Sequence, residues 1–149
     1  MKKGFTMVEI MIVTAIIVIL AGIAIPSLLR SRITANEQHA VSNIEMISVA
    51  AQTYWSVNNA LPTTLNILNT NSYLDATLGC ASPPCTKSGY RYYMGGTGAT
   101  TDFFVYTTPQ SPNITGVRSF CAGSDGVARA NAAGTAPVSQ AACNAWTAL

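Results

Sequence analysis

The feature that most constrains this chain is an apolar stretch near its N-terminus. No charged residue occurs from Ile10 to Leu29. A helix of about 20 residues with a rise of roughly 1.5 Å per residue crosses the roughly 30 Å hydrocarbon core of a bilayer. Glu9 is the only charged side chain between Phe5 and Leu29. A carboxylate in such a segment indicates a functional role and predicts a cationic partner, and the neighbouring sequence offers none.

The remainder of the chain is long enough for one small domain. Of the 149 residues, about 30 belong to the apolar arm, and the rest suffice for a single hydrophobic core. Charged residues make up only 9% of the chain, against roughly a quarter in average proteins. The formal net charge of +2 comes from Lys2 and Lys3, since the other charges balance. No basic patch stands out, so the charge does not support nucleic-acid binding.

All cysteines follow the apolar arm, at Cys80, Cys85, Cys121 and Cys143. An even set in a small domain predicts disulfides formed in an oxidising compartment. More than one connectivity is possible, but the short loop between Cys80 and Cys85 favours that pair and leaves Cys121 with Cys143. A zinc site is the alternative, although paired two-residue spacings are missing and the single histidine, His39, lies on a predicted helix. We therefore predict no metal ion and no cofactor.

The apolar arm has two interpretations. Lys2 and Lys3 followed by an apolar run would suit a secretory signal cut after Ala24, which would release a soluble domain. However, the apolar run continues to Leu29, and the helical pattern then extends for roughly eight more turns. We therefore predict a retained helix. The lysines place the N-terminus in the cytoplasm and the rest of this single-pass precursor outside.

The helix is predicted to end near Asn58 and Asn59, because Pro62 disfavours helical geometry just before it. Met46, Val49 and Val57 form a second apolar edge, which suits either more core or contact with neighbouring copies. One face of the helix carries apolar or small residues that we expect to pack on the domain: Ile33, Ala40, Ile44, Ile47, Ala51 and Tyr54.

Two residues within the apolar arm favour a break in the helix. Pro26 lacks a backbone donor, and Gly22 weakens the helix. We therefore predict a kink or a melted stretch between them.

Beyond the helix the sequence predicts an irregular loop over Asn69–Pro84 and then an antiparallel sheet. Ser124-Asp125-Gly126 is typical of a hairpin turn. The predicted fold class is α+β, a long N-terminal α-helix with a membrane-spanning first half, packed on a small antiparallel β-sheet. The strand-like runs are Tyr90–Met94, Phe103–Thr107, Arg118–Ala122 and Val127–Ala130.

The segment Lys2-Lys3-Gly4-Phe5-Thr6-Met7-Val8-Glu9, with the apolar run to Pro26, resembles the class III signal of type IV pilins and related pseudopilins. The resemblance is close along the N-terminal helix, whereas the domain beyond is pilin-like only in layout. It implies that a prepilin peptidase cuts after Gly4, that Phe5 is then N-methylated, and that the helix is retained.

The same resemblance implies a partner for Glu9. Its carboxylate would meet the N-terminal amine of Phe5 on a neighbouring subunit, and a paired charge in an apolar core avoids most of the desolvation penalty. Glu9 and Pro26 are thus the expected assembly residues. The expected division is a leader at 1–4, an assembly helix at 5–29 and a globular domain at 30–149.

By this resemblance, the chain is a structural pilin of a bacterial type IV pilus and not an enzyme. Its expected partners are other copies of itself in a helical homopolymer, the prepilin peptidase that also methylates Phe5, and the inner-membrane assembly platform. It would first be an inner-membrane protein and then part of a surface filament. Filaments of this family serve twitching motility, adhesion, DNA uptake or electron transfer.

Three alternatives remain open at this point. The first is a pseudopilin of a type II secretion system, a class whose major members resemble each other in an acidic, calcium-binding loop. Asp102 and Asp125 are isolated here, so we do not expect a cage of about 6 to 8 oxygen ligands.

The second alternative is a soluble secreted protein or enzyme, for which His39 would be the single imidazole base. In the third, an adhesive or DNA-uptake pilin, aromatic residues stack on bases or sugars. Aromatic residues in strands more often belong to the core, which is our expectation for this chain. The aromatic residues concerned are Tyr90, Tyr92, Tyr93, Phe103, Phe104 and Tyr106.

Overall fold

A computed structural model of the protein describes residues 4–95 and 102–149. Of the predicted leader, only Gly4 falls within these ranges. The chain divides into two units, the first ending at Arg32 and the second beginning at Ile33. The elements are α1 (Met7–Asn58), α2 (Leu65–Thr70), β1 (Cys85–Lys87), β2 (Tyr90–Gly95), β3 (Phe104–Pro109), β4 (Ser119–Gly123), β5 (Ala128–Asn131), α3 (Gln140–Asn144) and β6 (Thr147–Ala148).

The first unit contains the N-terminal part of α1, whose apolar side chains are almost all exposed. By length and composition, α1 contains a segment that can cross a membrane. The helix is continuous through Gly22 and Pro26, so the predicted melted stretch is wrong. Pro26 only leaves the carbonyl of Gly22 without its helical donor, which a membrane helix tolerates.

The second unit contains a six-stranded sheet in which each strand pairs with the next along the chain. All of these pairings are antiparallel. The predicted strands correspond to β2, β3, β4 and β5, with ends shifted by a residue or two. The short edge strands β1 and β6 were not predicted, because two or three residues are too few to show an alternating pattern.

The core lies between the sheet and the part of α1 that belongs to the second unit. Ala40, Ile44, Ile47 and Ala51 are fully buried, as the helical spacing predicts. They meet the inward side chains of the strands within one hydrophobic cluster, to which α2 adds two leucines. The large buried side chains of this cluster are Tyr90, Tyr92, Val105, Phe120, Leu65 and Leu68.

The second apolar edge of α1 is not part of this core. Met46, Val49 and Val57 are 50%, 62% and 64% exposed. The interpretation of this edge as additional core is therefore wrong for the monomer. Contact with neighbouring copies is the interpretation that remains.

Disulfides join Cys80 to Cys85 and Cys121 to Cys143. The second bridge connects β4 to α3, whose N-terminus is capped by Ser139 accepting a hydrogen bond from the Ala142 N–H. All five residues of β4 are buried, because α1 covers one face and the bridged tail covers the other. A cross-link over this loop contributes about 3 kcal/mol in the chain-entropy model.

A buried carboxylate, Glu37 on α1, fixes the chain segment that leads into β4. It accepts hydrogen bonds from the backbone N–H groups of Val117 at 3.0 Å and Arg118 at 3.1 Å. The Arg118 guanidinium adds an ion pair at 2.8 Å. Burial by itself raises the pKa of Glu37, but these donors and the positive charge outweigh it and hold the pKa below its usual range.

We predict that Glu37→Gln destabilises the second unit at neutral pH, because the variant loses the ion pair with Arg118. The loss should be only about 1 kcal/mol, since Arg118 is partly exposed and the pair is screened by solvent. The pKa of Glu37 is lowered on folding, so its contribution is present above its unfolded pKa of about 4.3 and is lost as the pH falls through the folded pKa. The wild type should therefore lose stability more steeply than the variant below about pH 4.

This difference is measured by urea unfolding of the full chain in micelles, followed by near-UV circular dichroism. Glu45→Gln is the matched control, since Glu45 is an exposed acid on the same helix. Equal free energies of unfolding for the wild type and Glu37→Gln at pH 7 would contradict the assignment.

Candidate functional site

The candidate site is the start of α1, where Gly4, Phe5 and Thr6 precede the first helical residue, Met7. Thr6 occupies the N-cap, and Glu9 is the third residue of the helix. The Thr6 hydroxyl accepts a hydrogen bond from the Glu9 N–H at 3.2 Å. In return, the Thr6 N–H and hydroxyl donate to Glu9 Oε2, each at 2.9 Å. This reciprocal arrangement is a capping box.

The capping box changes the interpretation of Glu9. The neighbouring sequence was expected to offer no cationic partner, but it does offer a neutral one in Thr6, whose spacing to Glu9 is a sequence signature of a helix N-terminus. Thr6 is neutral, however, and the ion pairs within residues 4–95 and 102–149 involve other acids: Glu37, Asp75 and Asp125. Both bonds from Thr6 reach Oε2, so the carboxylate retains capacity to accept from a further donor.

The peptide bond between Gly4 and Phe5 is exposed. Phe5 is 86% exposed, and a Cβ placed on Gly4 would have no neighbour within 4 Å. Both residues precede the helix, so their backbone is not part of its hydrogen-bonding pattern. A protease can therefore reach this bond without unfolding α1.

The helix that follows presents apolar side chains around its whole circumference. Thr14 is a polar exception, and its hydroxyl donates to the Met11 carbonyl at 3.0 Å. A helix that is apolar on all sides requires lipid or other protein around it. Exposed residues of this segment include Ile10, Ile12, Ile16, Val18, Ile19, Ile23 and Leu28.

The aromatic residues of the sheet divide into two groups. Tyr90, Tyr92 and Phe103 are buried, as expected for core residues. Burial raises the pKa of Tyr92 to about 12, although its hydroxyl accepts a hydrogen bond from the Asn43 amide. Three others, Tyr93, Phe104 and Tyr106, are only half-buried and lie on the outer face, so the expectation that all belong to the core is wrong.

The acidic residues near the C-terminus have partners. Both oxygens of Asp125 bond to the Arg129 guanidinium, at 3.2 and 2.5 Å. Asp102 accepts a bond from the Ser124 hydroxyl at 3.5 Å. Within the described part of the chain, no three His, Cys, Asp or Glu side chains are grouped to hold a metal ion. His39 is an exposed helix residue.

Comparison with known proteins identifies the N-terminal segment. Residues 1–25 match the family model described as a prokaryotic N-terminal methylation motif. The chain is 40% identical over 63 residues to type II secretion system core protein G of Aeromonas hydrophila, a match that covers 42% of this chain and 44% of that protein. It is 39% identical over 55 residues to type IV major pilin protein PilA of Myxococcus xanthus, covering 37% and 25% of the two chains.

A third relative is matched over most of its length. The chain is 32% identical over 76 residues to competence protein ComGC of Halalkalibacterium halodurans, covering 51% of this chain and 74% of that protein. By contrast, the chain spans less than half the length of the secretion-system protein. No solved structure gives a significant match.

The matched methylation motif contains Gly4, Phe5 and Glu9, and it implies processing by a prepilin peptidase. This chain belongs to the type IV pilin and pseudopilin family.

Proposed function

We propose that this chain is a structural subunit of a bacterial type IV pilus and has no enzymatic activity. It polymerises into a helical homopolymer through its N-terminal helix once the leader, residues 1–4, is removed. The observation that carries this proposal is the exposed apolar surface of α1 that follows the single carboxylate of Glu9. Such a surface needs lipid before assembly and copies of the same helix after it.

Processing at Gly4 is the first step of the proposed pathway. The prepilin peptidase of the inner membrane cleaves the exposed bond between Gly4 and Phe5 and methylates the new N-terminus at Phe5. The precursor spans the inner membrane once, with its N-terminus in the cytoplasm. The assembly platform then moves the helix from the membrane into the growing filament, which reaches the cell surface.

Glu9 acts in assembly by exchanging a neutral partner for a charged one. In the precursor, Thr6 holds the carboxylate through neutral donors at 2.9 Å. Cleavage turns the Phe5 nitrogen into a cationic amine, and the amine of a neighbouring subunit then pairs with Glu9. Charge-assisted hydrogen bonds are stronger than neutral ones, and more so in an apolar core. Pairing between subunits therefore sets the axial register. Pro26, where one helical hydrogen bond is missing, lets the helix adjust to its neighbours in the packed core.

A pseudopilin of a type II secretion system is the second candidate. It is favoured by the 40% identity to core protein G. The Cys121–Cys143 bridge, which fastens the tail to the sheet, fits the C-terminal cysteine loop of the family layout and does not distinguish the two candidates. The pilus is favoured because Arg129 engages both oxygens of Asp125, whereas an acidic, calcium-binding loop of the major pseudopilins would need carboxylates that bind the ion.

We predict that Glu9→Gln abolishes filament formation although the precursor is made and cleaved. Glutamine can replace glutamate in a capping box, so this variant keeps the helix cap and removes only the charge. Thr6→Val removes the capping hydroxyl and keeps the charge of Glu9, and we expect it to reduce filament yield without abolishing assembly. Glu45→Gln is the control for an exposed acid on the same helix.

The measurement is filament mass sheared from cells that express each variant as the only copy. Wild-type yield from Glu9→Gln would show that Glu9 serves only as a helix cap, and the pairing proposal would then fail.

We predict that Gly4→Val blocks cleavage, so that mass spectrometry finds an uncleaved N-terminus and no methylated Phe5. A Cβ meets no atom within 4 Å at either Gly4 or Gly22, so the effect does not come from packing. Gly22→Val is the matched control and should still be cleaved. Assembled filaments that retain Met1 would contradict the processing step.

We predict that deletion of this gene removes surface filaments, as seen by electron microscopy, while secretion of folded exoproteins continues. The full-length gene supplied in trans should restore the filaments. Loss of exoprotein secretion with unchanged surface filaments would instead support the pseudopilin.

A further inference from the structure

A groove lies at the end of β2 beyond its pairing with β1, and its lining includes Leu65 and Met94 from the core side of the sheet. Its wall is an aromatic strip formed by Tyr93 on β2 and by Phe104 and Tyr106 on β3. Tyr93 lies directly opposite Tyr106 in the sheet register. Their rings stack with centroids 4.8 Å apart and planes 8° apart, and Phe104 stacks on Tyr106 at 5.8 Å and 20°.

Gly95 makes room for one ring of this strip. It lies opposite Phe104 in the sheet, and a Cβ at Gly95 would come within 2.5 Å of the Phe104 ring. The ring therefore lies across the backbone of β2. A glycine inside a strand often marks such a close approach. Any larger residue at this position would push the ring away from the strip.

The groove runs between the strip and two polypeptide segments that face it. Thr63 and Thr64 line it on one of these segments, Pro83 lines it on the other, and its volume is about 180 Å³. Among the described residues that line it, none carries a charge. The lining residues with side-chain hydroxyls are Thr63, Thr64, Tyr93 and Tyr106. Desolvation, together with the neighbouring Tyr93, raises the pKa of Tyr106.

These features select the chemistry of the ligand. A binding site of aromatic rings with a few hydroxyls suits a neutral molecule that has one apolar face and hydroxyls at its edge. The small volume suits a single ring. Single-stranded nucleic acid also stacks on aromatic rings, but its phosphates require a positively charged groove. Arg91, the nearest cation along this face of β2, does not line the groove.

We propose that this groove binds one pyranose ring of a neutral polysaccharide. The apolar face of the sugar stacks on the face of the Tyr93 ring that is turned away from Tyr106, and its hydroxyl groups exchange hydrogen bonds with Thr63 and the tyrosine hydroxyls. This activity goes beyond the structural role of the subunit and does not depend on the type of filament. In a polymer, one such site on each subunit would bind a long polysaccharide by avidity.

The test uses the full chain in dodecylphosphocholine micelles, because a maltoside detergent would itself present a neutral sugar. The probes are cello-, malto- and chito-oligosaccharides, titrated by calorimetry and by saturation-transfer NMR. We expect at least one probe to bind and to saturate tyrosine ring signals. Tyr93→Ala should raise the Kd roughly tenfold, as expected for the loss of a stacking ring. Tyr93→Phe should raise the Kd less, because it keeps the ring.

Further variants make the result decisive. Thr63→Val removes an exposed hydroxyl without disturbing the sheet and should raise the Kd several-fold. Trp55→Ala removes an aromatic residue on α1 that is 53% exposed and lies outside the groove, and it should leave the Kd unchanged.

Two results would overturn the proposal. The first is that none of the neutral probes binds, or that a folded Tyr93→Ala variant binds them with an unchanged Kd. The second is that only oligo(dT) or polygalacturonate binds and that Arg91→Gln abolishes this binding, which would indicate an anionic polymer instead.

Discussion

The second unit depends on the packing of one helix face against the inner face of the sheet. Ala40, Ile44 and Ile47 lose all exposure there, and each buried isoleucine side chain contributes about 1.5 to 3 kcal/mol. Ala40 and Ala51 lie in the same buried cluster as the rings of Tyr90 and Tyr92. This packing specifies which face of α1 meets the sheet. The exposed edge of the helix, which includes Val49, therefore points away from the sheet.

The regular parts of this fold could be predicted because their signals are local. Helical spacing identified the buried face of α1, and alternation identified the four longer strands. The contacts of Glu37 lie about 80 positions away in sequence, so no periodicity reveals them. Alternation also places Tyr92 and Tyr93 on opposite faces, yet it does not say which face a helix covers. The outer aromatic strip became visible only with the sheet register.

The candidate site shows the same division between local and distant information. Gly4, Phe5 and Glu9 were identified from a motif, and the hydrogen bonds of Thr6 follow from a spacing that the sequence displays. What a single chain does not contain is the other half of the proposed interaction, because the amine that would meet Glu9 belongs to a second subunit. The physical reason for seeking that partner is the cost of an unpaired charge among apolar helices.

The two disulfides also lie next to the two edge strands of the sheet, where sheets of neighbouring molecules could join. Cys85 begins β1, one edge of the sheet, and Cys143 precedes β6, the other edge, by a few residues. Edge strands present unpaired backbone groups on which another sheet can grow, and proteins limit this by keeping them short. Here the edges have three and two residues and each adjoins a covalent tether. In the proposed polymer, identical sheets held close together would thus be less able to join edge to edge into an amyloid-like aggregate.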